Sequence, residues 1–233
     1  MLFRVDEAVF RLFPTFRVGI VAARGARNGP STKSSKEALD AALRAAQGEL
    51  GPLDPRAHPA IEAWRAAFAE VGINPNKYPS SIEALARRVS QGGALPAINA
   101  AVDLANSAAL TFLVPVGCHD LGRLEGDLEV RLSRPGEVFR PMGGGDAEPV
   151  DAGEVVYGDG LEVRTRRWVW RQGDGAKVTE DSADLFFPID GFGESTLDRV
   201  TRARDYLAEA VREHLGGHIT VGMAHRDFAE VHL

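Results

Sequence analysis

Residues 94–137 read ALPAINAAVDLANSAALTFLVPVGCHDLGRLEGDLEVRLSRPGE. The first part predicts a helix on which Asn99, Asp103 and Asn106 share one face, because they are spaced by four and then three residues. Alanines occupy most of the other positions. The apolar run Leu110–Val114 predicts a short strand. This stretch therefore predicts a helix, a strand and a turn around which the remaining chain is organised.

Three polar side chains on an apolar helix need hydrogen-bond partners if that face is buried. One interpretation is that they bond loop backbone and pin a turn. The other is that they frame a pocket closed by the turn at His119 and Asp120, which follows a strand end. An imidazole there could orient water or carry a proton near neutral pH. Without further information we favour a structural turn, in which Asp120 caps Leu121–Glu125 and His119 is exposed.

Composition limits the class of protein. The chain has 233 residues, of which 44% are hydrophobic, and this is enough core for one large domain or two small ones. One cysteine excludes an internal disulfide and suits a reducing cytosol, and no export signal or membrane span is evident in the sequence. We therefore expect a cytoplasmic protein. A net charge of −6 argues against a broad nucleic-acid footprint but leaves a small local one open.

Periodicity and turn signals predict helices, then a strand-rich middle, then a helix and a strand, which is an α+β pattern rather than regular βαβ alternation. The N-terminal residues 2–13 fit either a strand or a helical turn. Besides the helix after Pro96, predicted helices cover residues 36–50 (capped by Ser34 or Ser35), 60–71, 82–90 (capped by Ser80 or Ser81) and a stretch to His214 capped by Ser195 or Thr196. Further predicted strands cover residues 16–23, 127–132, 138–140, 155–157, 161–166, 184–189 and 218–224.

The most basic and aromatic stretch is Arg164-Thr-Arg-Arg167-Trp168-Val-Trp170-Arg171. On a strand, Arg167 and Arg171 would face away from Trp168 and Trp170. Aromatic rings beside arginines suit unstacked bases and a phosphate. The alternative, which the pattern alone favours, is that both tryptophans are core and the arginines pair with nearby acids. Asn76-Lys77, in a proline-rich turn, is a second candidate for polar contact, with loop structure as its alternative.

Several common catalytic motifs are absent. The sequence has no GxSxG elbow, no Walker loop and no HExxH. His214 and His218 are separated by two glycines that end a helix, so we interpret them as surface residues. We predict no metal site and no cofactor.

The chain resembles the B3/B4 domain of the bacterial phenylalanyl-tRNA synthetase β-subunit. LPAINAAVDLAN is similar to that domain's RPINNVVDITN, and PVGCHDLGRLEGDLEVRLSRPGE is similar to PLHAFDLDKLxGxIxVRxAxxGE. Freestanding B3/B4-domain proteins look closer still, through GINPNKYPSSIEAL and RRWVWRQ…KVTEDS. The resemblance covers most of residues 16–189. It implies one B3/B4-type domain over residues 1–233, with residues 1–72 as its N-terminal part, in which helices flank a β-sandwich-like sheet.

In the synthetase, this domain edits tRNA by hydrolysing a wrongly attached amino acid. The resemblance implies a trans-acting aminoacyl-tRNA deacylase that uses positioned water, with no synthetase activity of its own. It aligns the family's helix residues with Asn99, Asp103 and Asn106. It puts Ala105 and Gly117 where the family has Thr and His, and leaves only Asp174 near the family's Glu.

The resulting hypothesis assigns catalysis to His119 and Asp120, and substrate binding to Asn99, Asp103, Asn106 and Lys77. It assigns RNA binding to Arg167, Arg171, Trp168 and Trp170. We expect the partner to be the acceptor end of an aminoacyl-tRNA, expect no membrane partner, and leave homo-oligomerisation open. The alternative function is a non-catalytic module that binds tRNA or an amino-acid-like ligand, and a protein-interaction domain is a third.

Overall fold

The computed structural model describes residues 1–233, apart from the side chains of Glu194 and Ser195. The helices are α1 (Glu7–Leu12), α2 (Lys33–Leu50), α3 (Pro59–Glu70), α4 (Ser81–Ser90), α5 (Ala100–Phe112) and α6 (Gly193–His214). The strands are β1 (Leu2–Val5), β2 (Arg17–Arg24), β3 (His119–Asp120), β4 (Leu128–Leu132), β5 (Val138–Phe139), β6 (Glu148–Pro149), β7 (Val155–Gly158), β8 (Val163–Arg166), β9 (Arg171–Gln172), β10 (Leu185–Gly191), β11 (His218–Ala224) and β12 (Glu230–His232). The predicted α+β class is confirmed.

The strands form two sheets. The larger has the order β12-β1-β4-β7-β8-β5-β6, and β9 pairs with β8 beside this path. The smaller has the order β11-β2-β10-β3. Aromatic rings from the two sheets meet between them, since Phe3 on β1 contacts Phe186 on β10 at a centroid distance of 5.1 Å. This is the β-sandwich-like arrangement that was predicted.

Strand β2 shows why the sheets and helices form layers. Val18, Ile20 and Ala22 belong to the core between the sheets, whereas Val21 and Ala23 belong to a second core under the helices. Side chains alternate between the two faces of a strand, so a strand that is buried on both faces reads as a continuous apolar run. The second core includes residues of α5 and α6, which cover the outer face of the small sheet.

The predicted strand at Leu110–Val114 is wrong, because α5 continues to Phe112. Leu113 ends the helix in a left-handed conformation with φ 50°, and its N–H bonds the carbonyl of Ala109. Pro115, which lacks an N–H, follows two residues later. A short apolar run fits a buried strand and a buried helix end equally well, and here both Leu110 and Val114 are fully buried.

The strand predicted at residues 161–166 ends at Arg166 and does not continue through the rest of the basic-aromatic stretch. Strand β8 stops at Arg166, and Arg167 and Trp168 both adopt positive φ angles, 47° and 62°. Two consecutive left-handed residues reverse the chain, so the predicted alternation of faces does not extend past Arg166. The turn instead directs Trp168 inward, where its side chain is fully buried.

Of the predicted helix caps, the structure confirms the one on α4. Ser80 caps α4, as predicted, by accepting a hydrogen bond from the N–H of Glu83. Helix α2 starts earlier than predicted and is capped by Thr32, to which Ser35 bonds in return. Helix α6 also starts earlier than predicted, with Phe192 at the N-cap position and no side-chain cap. Thr196 lies inside the helix, where its hydroxyl bonds the N–H and the carbonyl of Phe192, and the alternative cap at Ser195 lies outside the described side chains.

The N-terminal segment forms both structures that were considered, β1 followed by α1. Strands β6 and β12 were not predicted, and neither was β3, whose two residues were expected in a turn. Within the described part of the chain, no helix combines the length and apolarity needed to cross a bilayer.

Candidate functional site

A cleft opens where the two sheets meet the start of α4. Its cavity volume is about 70 Å³, which is below the usual range for small-ligand sites and fits a small chemical group rather than a whole ligand. Strand β10 contributes Pro188 and Asp190, and the loop before β3 contributes Val116 and Gly117. The remaining lining residues are Ser81, Pro115, His119, Tyr157, Thr165, Trp168, Val169, Trp170, Arg171 and Gln172. Segments far apart in sequence therefore build one wall.

His119 lies in this cleft rather than in solvent. Only 1% of its surface is exposed, and its ring stacks on Tyr157 at 6.0 Å. Burial, aided by the positive charge of Arg164, lowers the pKa of His119 to about 4. Its Nδ1 atom is buried without a hydrogen-bond partner among the described residues. The imidazole is therefore neutral near pH 7 and has an unused hydrogen-bonding position.

The wall also contains a carboxyl group that sequence analysis did not select. Asp190 is 2% exposed, and the Tyr157 hydroxyl donates a hydrogen bond of 2.5 Å to its Oδ1. Burial raises the pKa of Asp190 to about 7 and raises that of Tyr157 well above its usual value. A titratable pair perturbed by burial inside a cleft is a marker of functional sites.

Arginine and aromatic side chains lie at the mouth. The side chain of Arg171 is 40% exposed and stands 3.8 Å from Glu148. The guanidinium of Arg167 lies 3.8 Å from the ring centre of Tyr78 and 4.9 Å from that of Trp170. Tyr78 and Trp170 pack edge to face at 4.8 Å. Arg171 and Trp170 thus line the cleft as an aromatic and cationic surface. Arg167 packs on Tyr78 and Trp170 just outside the lining residues, where its side chain is 13% exposed and stands 3.9 Å from Glu154.

The same stretch also contributes to the core, as its alternative interpretation predicted. Trp168 packs against Phe13 and Trp64 with its ring buried, so it does not offer an open stacking face. Two upstream arginines are committed to acids: Arg164 bonds Asp159 and Glu162, and Arg166 bonds Glu154. Only the distal part of the stretch reaches the mouth.

The polar face of α5 does not reach the cleft, which corrects the expectation that it frames the pocket. Asn99 caps α5 by accepting from the N–H of Val102 and donates to the carbonyl of Val178. Asp103 is fully buried and accepts from the N–H of Ile98 and the hydroxyl of Ser35. These two residues pin loop backbone and a neighbouring helix, which is the structural interpretation of the pattern.

The other predicted site residues lie away from the cleft. Asn106 is partly exposed on α5 and is not among the lining residues. Asp120 caps the short turn Leu121–Arg123 through the N–H of Gly122, and it accepts a 2.6 Å bond from the Ser182 hydroxyl. Lys77 is exposed, with its ammonium 5.0 Å from the ring centre of Tyr78, outside the cleft. Of the two predicted catalytic residues, the structure places only His119 in the cleft.

The residues that sequence analysis missed are Asp190 and Tyr157. Tyr157 lies inside an apolar strand pattern that looks like ordinary core. Asp190 follows the apolar run Leu185–Ile189, whose predicted strand stopped one residue earlier. An acidic residue directly after a fully apolar strand is the sequence signal that could have identified Asp190, because β10 continues through Gly191 and so includes it. No group of three or more histidine, cysteine or acidic side chains in the described residues is arranged to hold a metal ion.

Comparison with known proteins agrees with this architecture. A sequence model of the B3/4 domain matches residues 63–213. The phenylalanine–tRNA ligase β-subunit of Nocardia farcinica (strain IFM 10152) is 29% identical over 181 residues, which cover 76% of this chain and 21% of that protein. The chain thus spans about a fifth of the length of this curated relative.

A solved structure shows the same fold. The crystal structure of an N-terminal fragment of the phenylalanyl-tRNA synthetase β-subunit from Pyrococcus horikoshii matches with a TM-score of 0.50. The match covers 93% of this chain and 49% of that fragment, at 15% sequence identity. The residues around the cleft, from Ser81 to Asp190, all lie inside the matched family region.

Proposed function

The chain belongs to the B3/4 domain family, and from this premise we propose that it is a trans-acting aminoacyl-tRNA deacylase. It would hydrolyse the ester bond that joins an amino acid to the terminal ribose of a tRNA. The observation that carries the proposal is the cleft itself, where buried His119 lies inside and Arg171 and Trp170 lie at the mouth. A small, largely apolar cleft with a few polar groups, beside a cationic and aromatic surface, suits part of an aminoacyl group attached to an RNA end.

The site has a plausible assignment for each part of the substrate. The aminoacyl group would enter the cleft, and the terminal adenosine would stack on exposed aromatic surface at Trp170 or Tyr78. Arg167 and Arg171 would contact the adjacent phosphates. Trp168 is fully buried, so we assign it to the wall rather than to stacking on the base.

An aminoacyl ester is already activated, so hydrolysis needs a positioned water rather than a strong nucleophile. The water oxygen attacks the ester carbonyl, the bond to the ribose oxygen breaks, and that oxygen takes up a proton. Neutral His119 would accept a hydrogen bond from the water and so orient it. Thr165 and Gln172 also line the cleft, although Gln172 already donates to the carbonyl of Cys118 at 2.7 Å.

The position of His119 supports this role despite the missing family histidine. Gly117 stands where the resemblance places that histidine, and a Cβ atom built on Gly117 would lie 3.2 Å from the His119 Nε2 atom. The imidazole of His119 therefore reaches the space beside Gly117 from two residues further along the chain. Pro188, whose Cγ would lie 2.9 Å from the same Cβ, closes the other side.

One observation favours the alternative, a non-catalytic module that binds tRNA or an amino-acid-like ligand. The pKa of His119 is lowered to about 4. A base works best when its pKa is near the working pH, so an imidazole this weakly basic is limited to orienting water. Binding of tRNA that weakens with salt, without ester hydrolysis, would support this alternative.

The test is a deacylation assay across a panel of aminoacyl-tRNAs, combined with tRNA binding. His119→Ala should slow hydrolysis at least tenfold with little change in binding, and Arg171→Ala should weaken tRNA binding. Matched controls are His218→Ala, an exposed histidine on β11, and Arg212→Ala, an exposed arginine on α6. Failure to hydrolyse any aminoacyl-tRNA would reject the deacylase, and unchanged variants would reject the two assigned roles.

A further inference from the structure

Asp190 differs from the other buried acids in the described residues. Glu83, Asp103, Asp120, Asp159 and Glu162 each accept at least two hydrogen bonds from arginines, hydroxyls or backbone N–H groups. The side chain of Asp190 accepts one bond, from the neutral hydroxyl of Tyr157, and has no ion pair among the described residues. Its Oδ2 atom has no such partner.

A buried carboxylate with a single neutral donor is costly to maintain, and folding would normally supply a cation or further donors. The nearby arginines do not supply them. Arg164 is held by Asp159 and Glu162, and Arg171 stands at the mouth, 3.8 Å from Glu148. Asp190 lines the cleft, so its missing partner can enter from the cleft.

The surrounding walls favour a cation as that partner. Trp170 lines the same cleft and is partly exposed, and an aromatic face attracts a positive charge. A carboxylate in a largely apolar cleft beside such a ring suits an ammonium ion, whose three N–H donors can bond the free oxygen and the neighbouring polar groups. The charge pattern is therefore negative inside the cleft and positive at its mouth.

We propose that the cleft binds a primary ammonium group of its ligand against Asp190, with Tyr157 orienting the carboxylate. This deepens the proposed function, since it rests on the same cleft receiving the aminoacyl group. Two parts of such a ligand carry this chemistry: the α-ammonium present on every aminoacyl ester, and the terminal ammonium of a cationic side chain. Asp190 is then the residue that distinguishes charged from neutral ligands.

The test measures binding of small ligands to the intact chain at pH 7.5, by calorimetry or NMR titration. Norleucine amide against N-acetyl-norleucine amide reports on the α-ammonium. Nα-acetyl-lysine amide against its Nα,Nε-diacetyl form reports on the side-chain ammonium. We expect at least one charged member to bind tenfold or more tightly than its acetylated partner. The pair whose charged member binds more tightly shows whether the cleft takes the α-ammonium or the side-chain ammonium. If neither charged member binds more tightly than its acetylated partner, the proposal is overturned.

Two variants make the assignment specific. Asp190→Asn should reduce the affinity ratio between the charged and the acetylated ligand at least tenfold. Tyr157→Phe, which keeps the ring and removes the hydroxyl, should reduce this ratio less. Asp198→Asn, an exposed acid on α6 outside the cleft, is the matched control. Discrimination that persists in Asp190→Asn overturns the proposal. The readout does not depend on hydrolysis, so failure of the deacylase and failure of ammonium binding are distinguishable.

Discussion

Asp190 and His119 lie in one cleft, and burial favours the neutral form of each side chain. The pKa of Asp190 is raised to about 7, and that of His119 is lowered to about 4. Tyr157 lies between them, bonded to Asp190 and stacked on His119. Both shifts follow from desolvation, which disfavours the charged form of an acid and of a base.

The Asp190 shift predicts how stability depends on pH. A folded pKa above the unfolded value means that the folded protein binds the proton more tightly. The stabilisation is therefore complete below about pH 4 and lost as the pH rises through about 7. Asp190→Asn carries no such titration. Relative to wild type, its free energy of unfolding should rise by roughly 2 kcal/mol between pH 5 and pH 8, at about 1.4 kcal/mol per pKa unit.

Urea unfolding of both proteins at pH 5, 6, 7 and 8 measures this difference. Asp198→Asn, an exposed acid paired with Arg202 on α6, is the control. The other titratable groups around Asp190 are Tyr157 and His119 on the walls and Arg171 at the mouth. The variant keeps all three. Asp190 contributes to the raised pKa of Tyr157, but that pKa lies well above its usual value of 10, so the tyrosine stays protonated in both proteins over the measured pH range. A difference that stays constant with pH would contradict a raised Asp190 pKa.

At the scale of elements, helix α5 is anchored by polar residues and does not take part in the cleft. Asp103 joins the N–H of Ile98, before the helix, to the hydroxyl of Ser35 on α2. Helices α2 and α5 pack closely, and the Asp103 bonds lie within that contact. The carboxylate therefore fixes both the entry of α5 and its position relative to α2.

Asp103→Ala should destabilise the protein by roughly 1–3 kcal/mol, because it removes the acceptor of the part-buried Ile98 N–H and of the buried Ser35 hydroxyl, which keeps only the Thr32 carbonyl. Asn106→Ala, one turn further along the same helix and partly exposed, is the control and should change stability by less than about 0.5 kcal/mol. Urea unfolding measures both. If binding of aminoacyl-tRNA by folded Asp103→Ala were lost while its stability were unchanged, Asp103 would be a site residue rather than an anchor.

The sequence predicted most elements correctly because their local signals are strong. Strand β2 is a continuous apolar run, and α4 has a capping serine and a glycine after its end. The errors occurred where local signals are ambiguous. The apolar run Leu110–Val114 is compatible with a strand and with a helix end. The chain reversal at Arg167 and Trp168 uses left-handed conformations, which are usually recognised in a sequence by a glycine, and neither residue is one.

For the whole molecule, charge predicts a small RNA footprint. The net charge is −6, and the basic residues at the mouth are few, chiefly Arg167 and Arg171 with exposed Lys77 nearby. Two or three phosphate contacts to a single-stranded end predict that log K falls with log salt with a slope of about −1.4 to −2.1. Titrations of tRNA between 50 and 300 mM salt, as rough working limits, measure it.

The variant Arg171→Ala should make that slope shallower by about 0.7, the value expected for the loss of one phosphate contact. Arg212→Ala on α6 should leave it unchanged. A much steeper slope, near that of proteins that grip many phosphates, would mean that a different and larger surface binds the RNA. The single domain over residues 1–233 stays a prediction, which limited proteolysis of the intact chain can address.

Family and fold class were determined by the sequence itself. The order and spacing of its motifs predicted a B3/B4-type α+β layered domain, and the family match over residues 63–213 and the matching solved structure confirm it. Apolar periodicity and capping depend on neighbours within a few residues, so they can be interpreted without coordinates.

The membership of the cleft was decided only by the tertiary structure. Asp190, Tyr157 and His119 come from β10, β7 and β3, and nothing in their local sequence brings them together. Conversely, Asn99, Asp103 and Asp120 had the local pattern of a site, yet long-range partners at Val178, Ser35 and Ser182 use their polar atoms. Strand pairing and layer packing decide which buried polar groups are satisfied, and therefore which one is left for a ligand.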